Sequence, residues 1–168
     1  MSPLLAASLI VIAIVLIAVL ALVALRLAGR RRLNPYELRK QFLTHAERSF
    51  YGVLDEAVGT RYIVFAKVRL ADVLRVRTGV SEPQSHLNRI IAKHVDFLLC
   101  EPQDVAPVLV IELDDASHDG GRRQARDRFV DTAFEGAALP LLRVRAARAY
   151  DPRLLSQQIA ELVERQRI

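Results

Sequence analysis

Cysteine is almost absent from this chain of 168 residues, where Cys100 stands alone. No disulfide can form within the chain, which agrees with a reducing cytoplasmic location, and no cysteine-based zinc site can be built. No cysteine lies near the N-terminus to carry a lipid. A lone cysteine in an apolar run is expected to act as a small hydrophobe. A broad basic excess is also missing, although the formal net charge is +5. Four of the 24 Lys and Arg are Arg26, Arg30, Arg31 and Arg32, and the other 20 face 19 Asp and Glu. The part from Leu33 onward is therefore nearly neutral, unlike a tight nonspecific nucleic-acid binder. There is no internal repeat, and no low-complexity tract apart from one apolar run.

That run is itself defined by an absence. No charged residue occurs from Pro3 to Leu25, and nearly every side chain there is apolar. As a helix these residues span ~34 Å, enough for a bilayer core of ~30 Å. Met1-Ser2 has no Lys or Arg, whereas a cleaved signal peptide starts basic and has a shorter apolar core. A membrane anchor over residues 1–28 is the expectation, followed by a basic juxtamembrane linker over 29–43 and a folded domain over 44–168. The arginine cluster is explained first by topology and anionic lipid. It predicts a single pass through the cytoplasmic (inner) membrane, with the N-terminus outside and the domain in the cytoplasm.

Beyond the anchor, residues 33–43 read as a partly helical linker. Thr44-His-Ala-Glu47 fits a capping box, and Phe50, Val53, Leu54 and Val58 follow at helical spacing until Gly59. Arg61–Leu70 reads as a strand, 75–81 as a loop and Glu82–Ala92 as a helix with Leu87, Ile90 and Ile91 inward. His94–Cys100 and Pro107–Asp114 read as two strands joined by a turn at 101–106. Their middle is apolar on both faces, with Phe97, Leu99, Leu109 and Ile111 on one and Leu98, Cys100, Val108 and Val110 on the other. Such a hairpin belongs in a sheet covered on both sides. Arg122–Gly136 is expected to be a helix with Ala125, Phe129, Val130 and Ala133 inward. Leu139–Arg145 follows as a strand. A last helix from Asp151 to about Glu164 carries Leu154, Leu155, Ile159, Leu162 and Val163. The order after the anchor is α-β-α-β-β-α-β-α, an α/β class.

The acids of this hairpin are its most informative residues. A hairpin centred near Asp104 sets Asp96 opposite Glu112, Leu98 opposite Val110 and His94 opposite Asp114. Strand alternation then places His94, Asp96, Glu112 and Asp114 on one face at one end. Like charges at opposed positions repel, and a divalent cation is the usual physical reason to assemble them.

The strings Val95-Asp96-Phe97, Val110-Ile111-Glu112-Leu113-Asp114, His118 and Arg126-Asp127-Arg128 resemble the PD-(D/E)XK nuclease superfamily. The closer likeness is to its very-short-patch-repair-type endonucleases. Within that branch the chain looks most like an uncharacterised bacterial family of domains of unknown function. The residues that carry this are Phe65–Leu74, Asn88–Cys100 and Ile111–His118, and the resemblance covers roughly Leu43 to Tyr150. It implies a restriction-endonuclease-like mixed sheet flanked by helices, preceded here by one N-terminal transmembrane helix. It also implies a phosphodiester-cleaving site in which Asp96 and Glu112 hold Mg²⁺ or Mn²⁺, with Asp114 as a further ligand or water contact.

The pattern departs from the superfamily at one point. Its lysine stands two residues after the second acid, and here that position is Asp114. Three residues are candidates to replace it. His118 is the first choice, as an acid or base near neutral pH. Lys67 on the preceding strand is the second. Lys93 flanks the hairpin on the opposite face. Arg122, Arg123, Arg126 and Arg128 are candidate phosphate contacts beside the site, on DNA or RNA.

Each residue also has a plainer role. Asp114-Asp115 can begin a loop, Asp127 and Arg128 can form a solvated helix face, and Lys67 and Arg69 can be edge-strand charges. Three readings follow. One is a membrane-anchored, divalent-metal-dependent nuclease-like enzyme. A second is a catalytically inactive nuclease-fold module that recruits nucleic acid or protein to the membrane. The third is a structural membrane protein whose acids pair with arginines.

Overall fold

The computed structural model describes residues 3–28, 35–114 and 121–167, with side chains for 7–26, 35–114 and 127–166. The chain divides into two units, Met1–Lys40 and Gln41–Ile168. The first contains helix α1, Pro3–Ala28, whose 26 residues form an apolar rod. Between Ala7 and Arg26 none of it is buried against protein. Its length and composition fit a membrane anchor or a signal sequence. Residues 35–43 hold no helix, so the helical part expected for the linker is not found there.

The second unit runs α2 (His45–Val58), β1 (Ile63–Arg69), α3 (Leu70–Val73), α4 (Pro83–Ile91), β2 (His94–Cys100), β3 (Pro107–Asp114), α5 (Gly121–Gly136), β4 (Leu141–Arg145) and α6 (Pro152–Arg167). Every helix and strand expected of this region is present. The addition is α3, a single turn too short to show periodicity. It is pinned where Leu70 N–H donates to the Lys93 carbonyl at 2.9 Å.

The sheet is mixed, in the order β1-β2-β3-β4. The first three strands are antiparallel neighbours, and α5 carries the chain across to β4, parallel to β3. The β2–β3 register pairs Phe97 with Ile111 and Leu98 with Val110, as the hairpin reading expects. Helices cover both faces. One cluster packs Phe50 and Leu54 of α2 and Leu155 and Ile159 of α6 on Phe97, Leu99, Leu109 and Ile111. The other packs Leu70, Ile90, Val130 and Phe134 on Val95, Leu98, Cys100 and Val110.

Four side chains depart from the expected pattern. Val108 packs in the first cluster rather than with Val110, because the ladder slips between Leu99 and Cys100. Ile91 and Leu154 are exposed, since Ile90, Leu155 and Ile159 already fill the inward stripe of their helices. Phe134, unremarked in the sequence, is fully buried from α5.

One backbone irregularity positions the site. Lys67 has φ +56°, the left-handed region, in the middle of β1. It falls between the ladder pairs Ala66–Phe97 and Val68–Val95. Ala66 and Phe97 face the α2 side, whereas Val68 and Val95 face the other. Regular alternation would keep each strand's next-but-one residues on one face. The phase therefore slips by one residue at Lys67 and Asp96 in both strands together.

Candidate functional site

The slip turns Lys67 and Asp96 toward the start of α2. There Thr44 and Glu47 form the expected capping box. Thr44 Oγ1 accepts from Glu47 N–H at 3.3 Å, and Glu47 Oε2 accepts from Thr44 N–H at 3.0 Å. The other carboxylate oxygen of Glu47 accepts from Lys67 Nζ at 2.5 Å. Lys67 Nζ also reaches Asp96 Oδ1 at 3.4 Å. Asp96 Oδ2 accepts from Leu113 N–H at 2.9 Å, which ties its carboxylate to the end of β3. One ammonium thus links a helix start, an edge strand and the hairpin.

Burial raises the Glu47 carboxyl, but the hydrogen bonds from Lys67 and from the Thr44 backbone and the Lys67 charge outweigh it, and its pKa falls below the usual value. Burial lowers the Lys67 ammonium, but Glu47 and Asp96 outweigh that and its pKa rises. Both groups are held in their charged forms.

A cavity of about 450 Å³ opens at this end of the sheet. It is lined by Thr44, His45, Ala46 and Glu47 from the α2 start, Asp96, Glu112, Leu113 and Asp114 from the hairpin, Asp127 from α5, and Ala146. The hairpin acids Asp96, Glu112 and Asp114 therefore share one cavity. His94 does not line it. It is exposed and pairs with Arg69 across the β1–β2 ladder, on the far side of the phase slip. Glu47 was legible in the sequence only as a cap, and Asp127 as part of the nuclease-like string or as a helix-surface acid. The fold makes both part of the site.

Arg143 of β4 is a second cation that the sequence did not single out. It stands opposite Glu112 in the parallel ladder. Its guanidinium donates to Asp131 Oδ1 at 2.8 and 3.1 Å and to Asp114 Oδ1 at 3.1 Å. Burial lowers its pKa, but Asp131, Asp114 and Glu112 outweigh that and raise it. Lys93 is turned away. Its ammonium lies 5.2 Å from the centre of the Phe129 ring, which Arg89 also covers at 4.1 Å. Arg128 is exposed and is not among the cavity's lining residues. His118 and the side chains of Arg122, Arg123 and Arg126 lie outside the described residues. Cys100 is buried, and that burial, followed by the nearby Asp104, pushes its thiol pKa up, as befits an inert core cysteine.

The lining acids supply only hard oxygen donors, which suit Mg²⁺ or Mn²⁺ in type. Among the described residues, no group of three or more His, Cys, Asp and Glu is arranged to hold a metal ion. The described donor set is smaller than the cages that proteins build for such ions. It does not form a closed cage. The repulsion between these acids is also met in part by the protein's own Lys67 and Arg143.

No curated protein and no solved structure matches the chain. Residues 39–162 match the family described as a protein of unknown function (DUF2726). That match spans well over half of the chain and includes every element from α2 through β4, so the protein belongs to the DUF2726 family.

Proposed function

We propose that this protein is a membrane-anchored, divalent-metal-dependent nuclease-like hydrolase with a restriction-endonuclease-like fold. The single observation that carries this reading is the Lys67 ammonium 3.4 Å from Asp96, an acid that lines one cavity with Glu112. An acid–acid–lysine set suits phosphodiester cleavage, and Lys67 supplies the cation that Asp114 does not. Asp96 and Glu112 would hold Mg²⁺ or Mn²⁺, which when bound would supply charge neutralisation at the phosphate and a more acidic water. Lys67 stabilises the charge that develops on the phosphoryl oxygens. His118 moves the proton, and Arg122, Arg123, Arg126 and Arg128 contact neighbouring phosphates. Helix α1 spans the inner membrane once and holds the domain in the cytoplasm.

The test is cleavage of labelled DNA and RNA by the full chain in detergent, with Mg²⁺, with Mn²⁺ and with chelator. Metal-dependent cleavage that disappears in Asp96→Asn and Glu112→Gln is the expected result. Cleavage that persists in both variants refutes the assignment.

A second reading has its own support. Lys67 and Arg143 already neutralise acids of the cavity, and the described residues offer no three-donor group. A binding module on the same fold needs no more than that. It gives no cleavage under any metal condition, but nucleic-acid binding that weakens steeply as salt rises.

A further inference from the structure

A second cavity, of about 330 Å³, opens between the loop after α3, α4 and α5. It shares no lining residue with the acidic one. Local sequence explains its character. In Arg75-Val76-Arg77 the middle residue packs into the core cluster of Val110 and Phe134, and both arginines are exposed at the rim. Ile90 and Phe129 bring apolar wall from α4 and α5, and His86 stands one helical turn before Ile90. Among the described residues, Arg75, Arg77 and His86 are the ionisable groups of the lining, and no acid joins them. Arg89 and Lys93 stand over the Phe129 ring and add positive charge beside the cavity.

We propose that this cavity binds a small organic anion, an apolar body that bears one carboxylate. The acids of the surrounding helices are engaged elsewhere. Asp72 pairs with Arg69, Asp131 pairs with Arg143, and Asp127 and Glu135 line other cavities. Helix α4 holds no acid. Among the described residues, Arg75 and Arg77 form no ion pair. Arg77 Nη2 donates to the Gly136 carbonyl at 2.7 Å, at the end of α5. That bond holds the guanidinium at the rim and uses one of its five N–H donors. The others are free to fork onto a carboxylate, with Arg75 beside them. The apolar wall of Ile90 and Phe129 receives the body. The volume lies near the lower end of ligand sites, about 300–1,000 Å³, which suits a small molecule rather than a peptide segment. The site is independent of the nuclease reading, since it uses neither the hairpin acids nor a metal.

The experiment is calorimetric titration of the full chain in phosphatidylcholine nanodiscs, with empty nanodiscs as the blank. The probes are phenylbutyrate and its uncharged counterpart phenylbutanol. Wild type is compared with Arg77→Gln, Arg75→Gln and Ala137→Trp, the last of which plugs the cavity from an exposed lining position. Arg75→Gln breaks no ion pair, so it keeps the test open if Arg77→Gln loosens the end of α5. Wild type is expected to bind phenylbutyrate saturably and phenylbutanol about tenfold more weakly. Each arginine variant is expected to weaken phenylbutyrate about tenfold and to leave phenylbutanol unchanged, and Ala137→Trp to abolish both. Equal binding of acid and alcohol, or binding indifferent to both arginine changes, overturns the recognition of an anion. Absence of binding in wild type, or binding unchanged in folded Ala137→Trp, overturns the site.

Discussion

Lys67 faces Asp96 across the β1–β2 ladder, and its ammonium stands 3.4 Å from the Asp96 carboxylate. The same ammonium is held more closely by Glu47, the residue that completes the cap of α2. The helix start and the acidic end of the sheet are therefore tied through one side chain.

The first consequence is a pH dependence of stability. Glu47 has a depressed pKa, so its contribution is present above the unfolded carboxylate value and is lost as pH falls through the folded one. Lys67 has a raised pKa, so its contribution is full below the unfolded ammonium value and is lost as pH rises through the folded one. The pair stabilises across the neutral range. Glu47→Gln is expected to lower stability there by about 1–3 kcal/mol, through the cap and the broken ion pair. Urea melts against pH measure this. The gap between variant and wild type should shrink in acid, and a gap constant down to pH 2 contradicts the assignment.

Lysines 67 and 93 are expected to separate cleanly. Lys93 covers the Phe129 ring on the other side of the sheet, whereas Lys67 contacts Glu47 and Asp96, two acids that line the cavity. Under the nuclease reading, Lys93→Ala keeps metal-dependent cleavage within a few-fold of wild type and costs about 0.5–1 kcal/mol of stability. Lys67→Ala reduces cleavage by about 100-fold or more. Rates with saturating metal decide between the two lysines.

The hairpin turn stores strain that can be released. Val105 adopts φ +59°, a left-handed conformation that a β-branched side chain resists, and it is half exposed. Its N–H still closes the turn onto the Glu101 carbonyl at 3.0 Å. Val105→Gly or Val105→Asn is expected to stabilise the domain by about 1 kcal/mol. A higher midpoint in thermal or urea unfolding checks it.

Phe97 should be among the costliest positions to truncate. It is fully buried on the α2–α6 side, with ring centroids 5.6 Å from Phe50 and 6.2 Å from Tyr51. Phe97→Ala is expected to cost about 3–5 kcal/mol. Since Phe97 directly follows Asp96, that variant should also lose any metal binding through unfolding, which circular dichroism will reveal.

Much of the domain was legible because its signals are local. The Thr44–Glu47 box, the stop at Gly59 and the apolar hairpin each follow from residues a few positions apart. The register was legible too, since the turn and the two-sided apolar pattern admit one pairing of Leu98 with Val110. Alternation extrapolated to the strand end was less reliable. It grouped His94 with the acids, whereas the phase slip at Lys67 and Asp96 leaves His94 outside the cavity.

What the sequence determined by itself is therefore an apolar helix long enough to cross a membrane, an α/β domain behind it, and three hairpin acids destined for one end of a sheet. Tertiary structure alone decided which cations answer those acids. Lys67 and Arg143 come from a kinked edge strand and a parallel partner strand, and Glu47 joins the acids from a helix start. Charges are set against one another through space, and separation along the chain carries no record of that distance.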